Sequence, residues 1–388
     1  MPEKKKQHYV PKFYMQLFAN QQNTFSVLNI ATKKVLKSVP YGSHCYKDYY
    51  YGKDGVWENR LSDMETTWAN TFKLILSKSS LTDDDILSLK RFALYQRQRT
   101  MAEDNYSKQV RKESLIEYSK CICANKGWKY EADVIEKICE ERANESIAPA
   151  EMLQFAEQYL NSINDLSVVI IEYKTQAELF SSDVPVISIN PFHQHTIGYG
   201  CMGLIILFPI SSHHLVVLYD EKMYPKFKEK RYVELRNEKE VSNLNVLQLI
   251  SAEKILFGKD ASAFSIIKAS HWGVREQNRN SKVIDALGPS TQRMIGTSLR
   301  TTIFDCSFSF GKIHPNFADI PYPCKEAVPR IWEKEWEEKL NIKPNMMSQI
   351  AGFQPDMLKR LGLTKKDFRQ GFEKMAKAAK KYWADKRE

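Results

Sequence analysis

Apolar and polar positions change their period several times along this chain, and each change marks a different kind of element. The opening run Gln7–Phe18 (QHYVPKFYMQLF) is dense in aromatic and apolar side chains directly after Lys4, Lys5 and Lys6. Chain ends are ordinarily polar and frayed, so this segment is expected to dock into a core. Phe25–Ile30 alternates like a strand, residues 31–34 suit a turn, and Val35–Val39 returns, which predicts a β-hairpin. The tyrosine-dense stretch His44–Tyr51 (HCYKDYYY) suits either an aromatic loop packed on the core or a stacking platform for bases.

From Val56 the period lengthens to that of a helix. Leu61, Met64, Trp68, Phe72 and Ile75 fall on one stripe. Leu81–Asp85 (LTDDD) is a helix start, with Thr82 as N-cap and Asp85 at the third helical position. Ile86, Leu89, Phe92, Ala93 and Gln96 continue that helix. Residues 103–145 have a charged helical pattern broken at Asn125-Lys126-Gly127, and Pro149 precedes a helix over 150–163.

The pattern then switches to strands. Leu166–Tyr173 (LSVVIIEY) is the β-branched run of a buried strand. Phe180–Ile189 predicts a strand bent at Pro185, Leu204–Pro209 and His214–Tyr219 predict two more, and Val241–Phe257 predicts a helix. Pro315, Pro321, Pro323 and Pro329 mark a linker-like stretch. A last helix is expected from Thr364, with Asp367 placed for a capping box and a stripe of Phe368, Phe372, Met375, Ala379 and Trp383 that must bury against something. The fold class is therefore α+β: an N-terminal β-hairpin region, a helical middle, a mixed or antiparallel sheet and a helical C-terminal extension. The expected division is a core over 1–260 (helical part 56–163, sheet part 166–220), a continuation and linker over 261–325, and a basic helical extension over 326–388.

Composition adds a bias in partners. The 388 residues are 43% hydrophobic and 12% aromatic, enough for a large core, and carry a formal charge of +10. Between Lys359 and Arg387 stand eleven Lys/Arg against three Asp/Glu. A localised basic field favours nucleic acid, anionic lipid or an acidic protein, and a solvated tail helix has the same composition. The N-terminus lacks the apolar region of a signal peptide, and no stretch is apolar enough to span a bilayer, so no membrane association is expected. Seven scattered cysteines, with Cys121-x-Cys123 lacking a second metal-spaced pair, suit free thiols in the cytoplasm.

Several short segments together carry a resemblance. QHYVPKFY, Glu65, Gln96 and Arg99 (RFALYQRQRT), SSDVP at 181–185, LFPIS at 207–211 and Asn243 or Asn245 occur in that order. This set resembles an uncharacterised, mainly bacterial domain-of-unknown-function family, number 4238 in its series, whose members open with His-Tyr-Val-Pro. The likeness covers roughly residues 7–260. It implies family counterparts Thr-Ser-Asp-Asn-Pro for SSDVP and Leu-Pro-Leu-Ser for LFPIS, with Val184 standing where the family has Asn. The family's frequent place among mobile and defence genes implies a toxin-like antiphage effector.

Candidate chemistry centres on five residues. His8 suits a general base, a phosphate contact or a metal ligand, or else a hydrogen-bonded structural histidine. Gln96 and Arg99 are three apart and share a helix face. Glu65 with Arg99 makes either an inter-helix ion pair or the polar lining of a site. Asp183, at a bend between strands, suits a catalytic or metal-binding carboxylate or a turn cap. Glu172-x-Lys174 stands in the reverse of the order a restriction-type nuclease needs, and His193-x-His195 and His213-His214 lack a carboxylate or cysteine spaced to complete a metal motif. The expected function is a nuclease using His8, Glu65, Gln96, Arg99 and Asp183, with magnesium or manganese held by Glu65 and Asp183 and Arg99 as phosphate clamp. The alternative is a non-catalytic module that binds nucleic acid or a protein. A partner protein or a second copy is expected on the C-terminal helix.

Overall fold

The computed structural model describes residues 5–145, 149–190, 199–200 and 203–280, and the backbone of 282–287 and 294–299. Lys4, His193, His195, the prolines at 315–329 and the basic tail helix lie outside the described residues.

The N-terminus forms β1 (Lys6–His8) and the short helix α1 (Lys12–Gln16). The expected hairpin is β2 (Thr24–Asn29) with β3 (Val35–Pro40), antiparallel with a bulge between Phe25 and Val27. The tyrosine-rich stretch contributes β4 (Tyr46–Asp48), which pairs antiparallel with β1 and sets His8 opposite Tyr46. Periodicity missed this pairing, because two three-residue strands carry too few positions to show one.

Five helices follow: α2 (Val56–Leu76), α3 (Asp83–Gln98), α4 (Met101–Lys126), α5 (Ala132–Glu145) and α6 (Pro149–Ile163). The stripe on α2 buries Leu61, Trp68, Phe72 and Ile75. α3 begins on the expected capping box: Thr82 Oγ1 accepts from the Asp85 N–H, and the Asp85 carboxylate accepts from the Thr82 N–H at 2.9 Å. α4 stops at Gly127, whose φ of 67° is a left-handed conformation that glycine adopts without strain.

The main sheet runs β10-β5-β9-β8-β7, from β5 (Ser167–Tyr173), β7 (Ile187–Ile189), β8 (Ile205–Pro209), β9 (His214–Tyr219) and β10 (Tyr232–Leu235). It is antiparallel except for β10, which runs parallel to β5. Both faces are covered, which explains the unbroken apolar run of β5. Val168 and Ile170 join a core with α2, α3, α6 and the N-terminal segment, while Val169, Ile171 and Tyr173 pack with Val241, Leu244 and Leu247 of α7 (Glu238–Ser251).

Two expectations change here. Phe180–Ile189 is not one bent strand. Pro185 divides β6 (Ser181–Ser182), in a second sheet that also holds β2 and β3, from β7 in the main sheet. The helix predicted over Val241–Phe257 ends at Ser251, and Ile255–Gly258 is β11, a central strand of that second sheet. A short helix α8 (Ala269–Asn280) and a backbone hairpin of β12 (Lys282–Leu287) and β13 (Met294–Leu299) follow.

Tyr14 of α1 locks these layers together. It is fully buried, stacks on Phe92 of α3 at 5.6 Å, and meets Phe257 of β11 edge-on at 6.5 Å. Its hydroxyl donates to the Pro209 carbonyl and accepts from Ser181 Oγ at 3.0 Å, because one hydroxyl has a single proton to give. The N-terminal segment is thus docked, as its apolar content predicts.

Candidate functional site

β1 and the turn after it deliver the main chain of His8 and Tyr9 into the interior, where side chains from α2, α3 and the tyrosine-rich stretch meet it. The Arg99 guanidinium is 1% exposed and uses all three of its nitrogens. Nη2 donates to the His8 carbonyl at 2.6 Å, Nη1 to Glu65 Oε1 at 2.8 Å, and Nε to the Tyr51 hydroxyl at 3.0 Å. Tyr51 in turn donates to the His8 carbonyl at 3.2 Å. Burial opposes the charge on Arg99, and Tyr51 and Glu65 more than offset it, so its pKa lies above the ordinary guanidinium value.

Gln96 is fully buried and donates Nε2 to the Tyr9 carbonyl at 2.9 Å. Its Oε1 has no hydrogen-bond partner among the described residues. The reversed amide would set an oxygen against the Tyr9 carbonyl, so the orientation is chemically fixed. Gln7 completes the frame, accepting from Tyr51 N at 2.5 Å and donating to the Gly52 carbonyl at 2.9 Å.

The His8 ring points away from this frame. Its Nε2 lies 3.2 Å from the Gly42 carbonyl, and its ring centroid is 5.4 Å from that of Tyr46. A carbonyl only accepts, so Nε2 carries the proton and Nδ1 the lone pair. Burial is the largest influence on the ring; with Lys12, Arg99 and Lys6 it outweighs the Gly42 bond and lowers the pKa to about 4. The imidazole is neutral at physiological pH. Lys6 and Lys12 are exposed, and Lys6 Nζ sits 4.9 Å over the Tyr46 ring. Two exposed lysines and an aromatic ring therefore lie near a neutral histidine.

Asp183 lies at the other end of this polar system. It is 1% exposed, and its carboxylate oxygens accept from the main-chain N–H groups of Glu253 at 2.9 Å and Lys254 at 2.7 Å. Burial pushes its carboxyl up to about 6 against those bonds. Its charge reaches Tyr9 and Cys45, whose hydroxyl and thiol hydrogen-bond to each other. The Ser182-Asp183-Val184-Pro185 turn is fastened to α7, where Gln248 Oε1 accepts from Ser182 Oγ at 2.8 Å and Nε2 donates to the Pro185 carbonyl at 2.9 Å. Asn245 holds the residue just before β6, accepting from Phe180 N at 3.0 Å.

The structure thus brings His8, Glu65, Gln96 and Arg99 together on the His8–Tyr9 main chain. Asp183 joins them only through the field it exerts on Tyr9 and Cys45. The donor set does not fit a divalent ion shared by Glu65 and Asp183: both oxygens of Asp183 accept main-chain N–H groups, and Glu65 Oε1 holds Arg99. Tyr51, Gln7 and Cys45 also belong to this polar system, and no motif in the sequence marks them as site residues. Tyr51 was visible as the last of three consecutive tyrosines, and Gln7 as a polar side chain inside a docked segment.

Family comparison matches residues 6–262 to a protein family of unknown function, DUF4238. The chain belongs to the DUF4238 family. The matched span runs from β1 to just beyond β11, so it encloses every residue of the polar system. No curated protein and no solved structure matches the chain.

Proposed function

We propose that this DUF4238 protein binds single-stranded nucleic acid across the surface formed by Lys6, Lys12 and Tyr46 over the buried His8, with the Arg99 group setting the shape of that surface. The observation that carries this reading is the clustering of two exposed lysines and a half-buried tyrosine around one neutral imidazole. Lysines contact phosphates as point charges, and an aromatic ring offers a stacking face to any base. Lys47 over Tyr50 and Lys53 over Tyr49 extend the same composition along the tyrosine-rich stretch. Asp48, which pairs with Lys5 at 3.3 Å, and Asp54, which accepts from Val56 N, are the acidic groups within it.

Binding is favoured over chemistry for a physical reason. Arg99 is 1% exposed and already engaged by three protein oxygens, Asp183 is sealed from solvent, and a histidine with a pKa near 4 is a weak base at neutral pH. The second reading is a nuclease, an effector of defence or toxin-like type. It is supported by the His8 tautomer, which leaves a lone pair on Nδ1. The proposed setting is the cytoplasm, in keeping with the free buried Cys45, Cys123 and Cys139. No helix among the described residues is long and apolar enough to cross a membrane.

Fluorescence anisotropy with labelled single-stranded RNA, single-stranded DNA and duplex DNA tests the proposal, and gel analysis of the same mixtures with and without magnesium or manganese tests the second reading. Tighter binding of single strands, weakened by Tyr46→Ala, supports the first. Cleavage lost in His8→Ala supports the second. Absence of binding to all three contradicts both.

A further inference from the structure

The turn joining β8 to β9 carries chemistry that the surface around His8 does not use. Ser211 closes the LFPIS segment. Its Oγ accepts the main-chain N–H groups of His213 at 3.2 Å and His214 at 3.1 Å, and lies 2.9 Å from His214 Nδ1. The one hydroxyl proton is directed to Nδ1, the nearest of these three partners. His214 therefore carries its ring proton on Nε2, which lies 4.0 Å from Glu172 Oε1 and has no hydrogen-bond partner among the described residues. Sheet register fixes this approach, because Glu172 of β5 stands directly opposite His214 of β9.

The surroundings suit the arrangement. Glu172 and His214 side chains are 14% and 15% exposed, shielded from bulk water yet reachable. Lys78 Nζ is 2.7 Å from Glu172, and Lys174 also bonds it. Burial works to raise the Glu172 pKa, but these two lysines outweigh it and hold the carboxylate at about 2. Lys78 also bonds Glu234 at 2.7 Å, and the neighbouring His213 faces Glu178 at 3.9 Å.

We infer that Ser211 and His214 form a nucleophilic site for carboxylic esters, with Glu172 as the positioning residue behind the imidazole. A hydroxyl, an imidazole and a carboxylate in series activate a serine by moving its proton to the ring while the carboxylate stabilises the resulting cation. The Ser211 Oγ–carbon bond forms at the ester carbonyl, and the hydroxyl proton passes to His214 Nδ1. The carbon–oxygen bond to the leaving alcohol breaks, and that alcohol takes the proton from Nδ1. Water, deprotonated by the same nitrogen, then adds to the acyl carbon, the carbon–Oγ bond breaks, and Nδ1 returns its proton to Ser211 Oγ. The 4.0 Å gap to Glu172 is looser than a hydrogen bond, and such contacts tighten when substrate binds.

An alkyl fluorophosphonate probe tests this on the full chain, read by intact mass and peptide mapping beside a serine esterase as positive control. The expected result is one adduct, on Ser211. His214→Gln abolishes it. Glu172→Gln slows labelling at least tenfold and moves the midpoint of its pH profile to lower pH, because the carboxylate no longer favours the protonated ring. Ser211→Cys retains a side-chain acceptor in the turn, and its thiol is expected to react with iodoacetamide faster than in the Ser211→Cys/His214→Gln double variant. A purely turn-capping serine gives no adduct, and the two thiols then react at the same rate. Absence of the Ser211 adduct while the control is fully labelled overturns the inference, as does a rate and pH profile unchanged by Glu172→Gln.

Discussion

Arg99 donates to the main-chain carbonyl of His8 at 2.6 Å, across 91 residues of sequence, and is itself 1% exposed. That bond ties the start of the chain to the end of α3. It also explains why the guanidinium is charged in a buried place: Glu65 balances it and three oxygens accept from it. Arg99→Lys keeps the charge but cannot reach all three acceptors. Leaving buried acceptors unpaired costs roughly 1–3 kcal/mol each, so a loss of about 2–4 kcal/mol is expected. Glu65→Gln should cost less, about 1–2 kcal/mol, because Glu65 is a quarter exposed. Urea unfolding midpoints check both values. An Arg99→Lys protein as stable as the parent would show that the three bonds do not hold the segment.

His8 and Asp183 should act oppositely on stability across one pH window. The His8 pKa is lowered from 6.5 to about 4, so its contribution is present above pH 6.5 and lost on acidification toward 4. The Asp183 pKa is raised from 3.8 to about 6, so its ionised form weakens the fold and stability falls as pH rises through that range. Each amounts to roughly 3 kcal/mol at most. Between pH 4 and 6 the two largely cancel. His8→Gln, whose amide still donates to the Gly42 carbonyl, should therefore become more stable toward pH 4 relative to the parent. Asp183→Asn should become relatively less stable there. Thermal melts at pH 4, 5, 6 and 7 read the difference; parallel profiles for all three proteins would refute the assignment.

Tyr14→Phe removes only the hydroxyl that bridges Pro209 and Ser181. The rings around it stay packed, so the cost is that of two unpaired buried groups, about 1–3 kcal/mol. Unfolding midpoints measure it, and faster hydrogen exchange of the Tyr9 and Leu17 amides should accompany the loss. An unchanged midpoint would show that ring packing alone docks α1.

Much of this fold was legible because its signals are local. The α2 stripe, the Thr82–Asp85 capping box and the Gly127 stop need only neighbouring residues, and the structure has all three. What was not legible is set at a distance. The run ILFG after Ala252 continues an apolar pattern, yet it is a strand, because Asp183 captures the N–H groups of Glu253 and Lys254 seventy residues away. Asp183 stood out as a carboxylate at a bend, but its partners could not be read from the bend itself. Glu65 and Arg99 were readable as a pair between helices. That Arg99 also donates to a main-chain carbonyl of β1 was not, since carbonyls leave no mark in sequence.

In the proposed function the surface around His8 meets a phosphate backbone. The most direct test is the salt dependence of binding to a labelled single-stranded oligonucleotide, for the parent and for Lys6→Ala/Lys12→Ala. Each phosphate contact contributes about 0.7 to the slope of log affinity against log salt for single strands. The double variant should therefore bind more weakly, with a slope shallower by about 1.4, while Tyr46→Ala loses about 1–3 kcal/mol with its slope unchanged. Equal affinities and slopes in parent and double variant would contradict the claim.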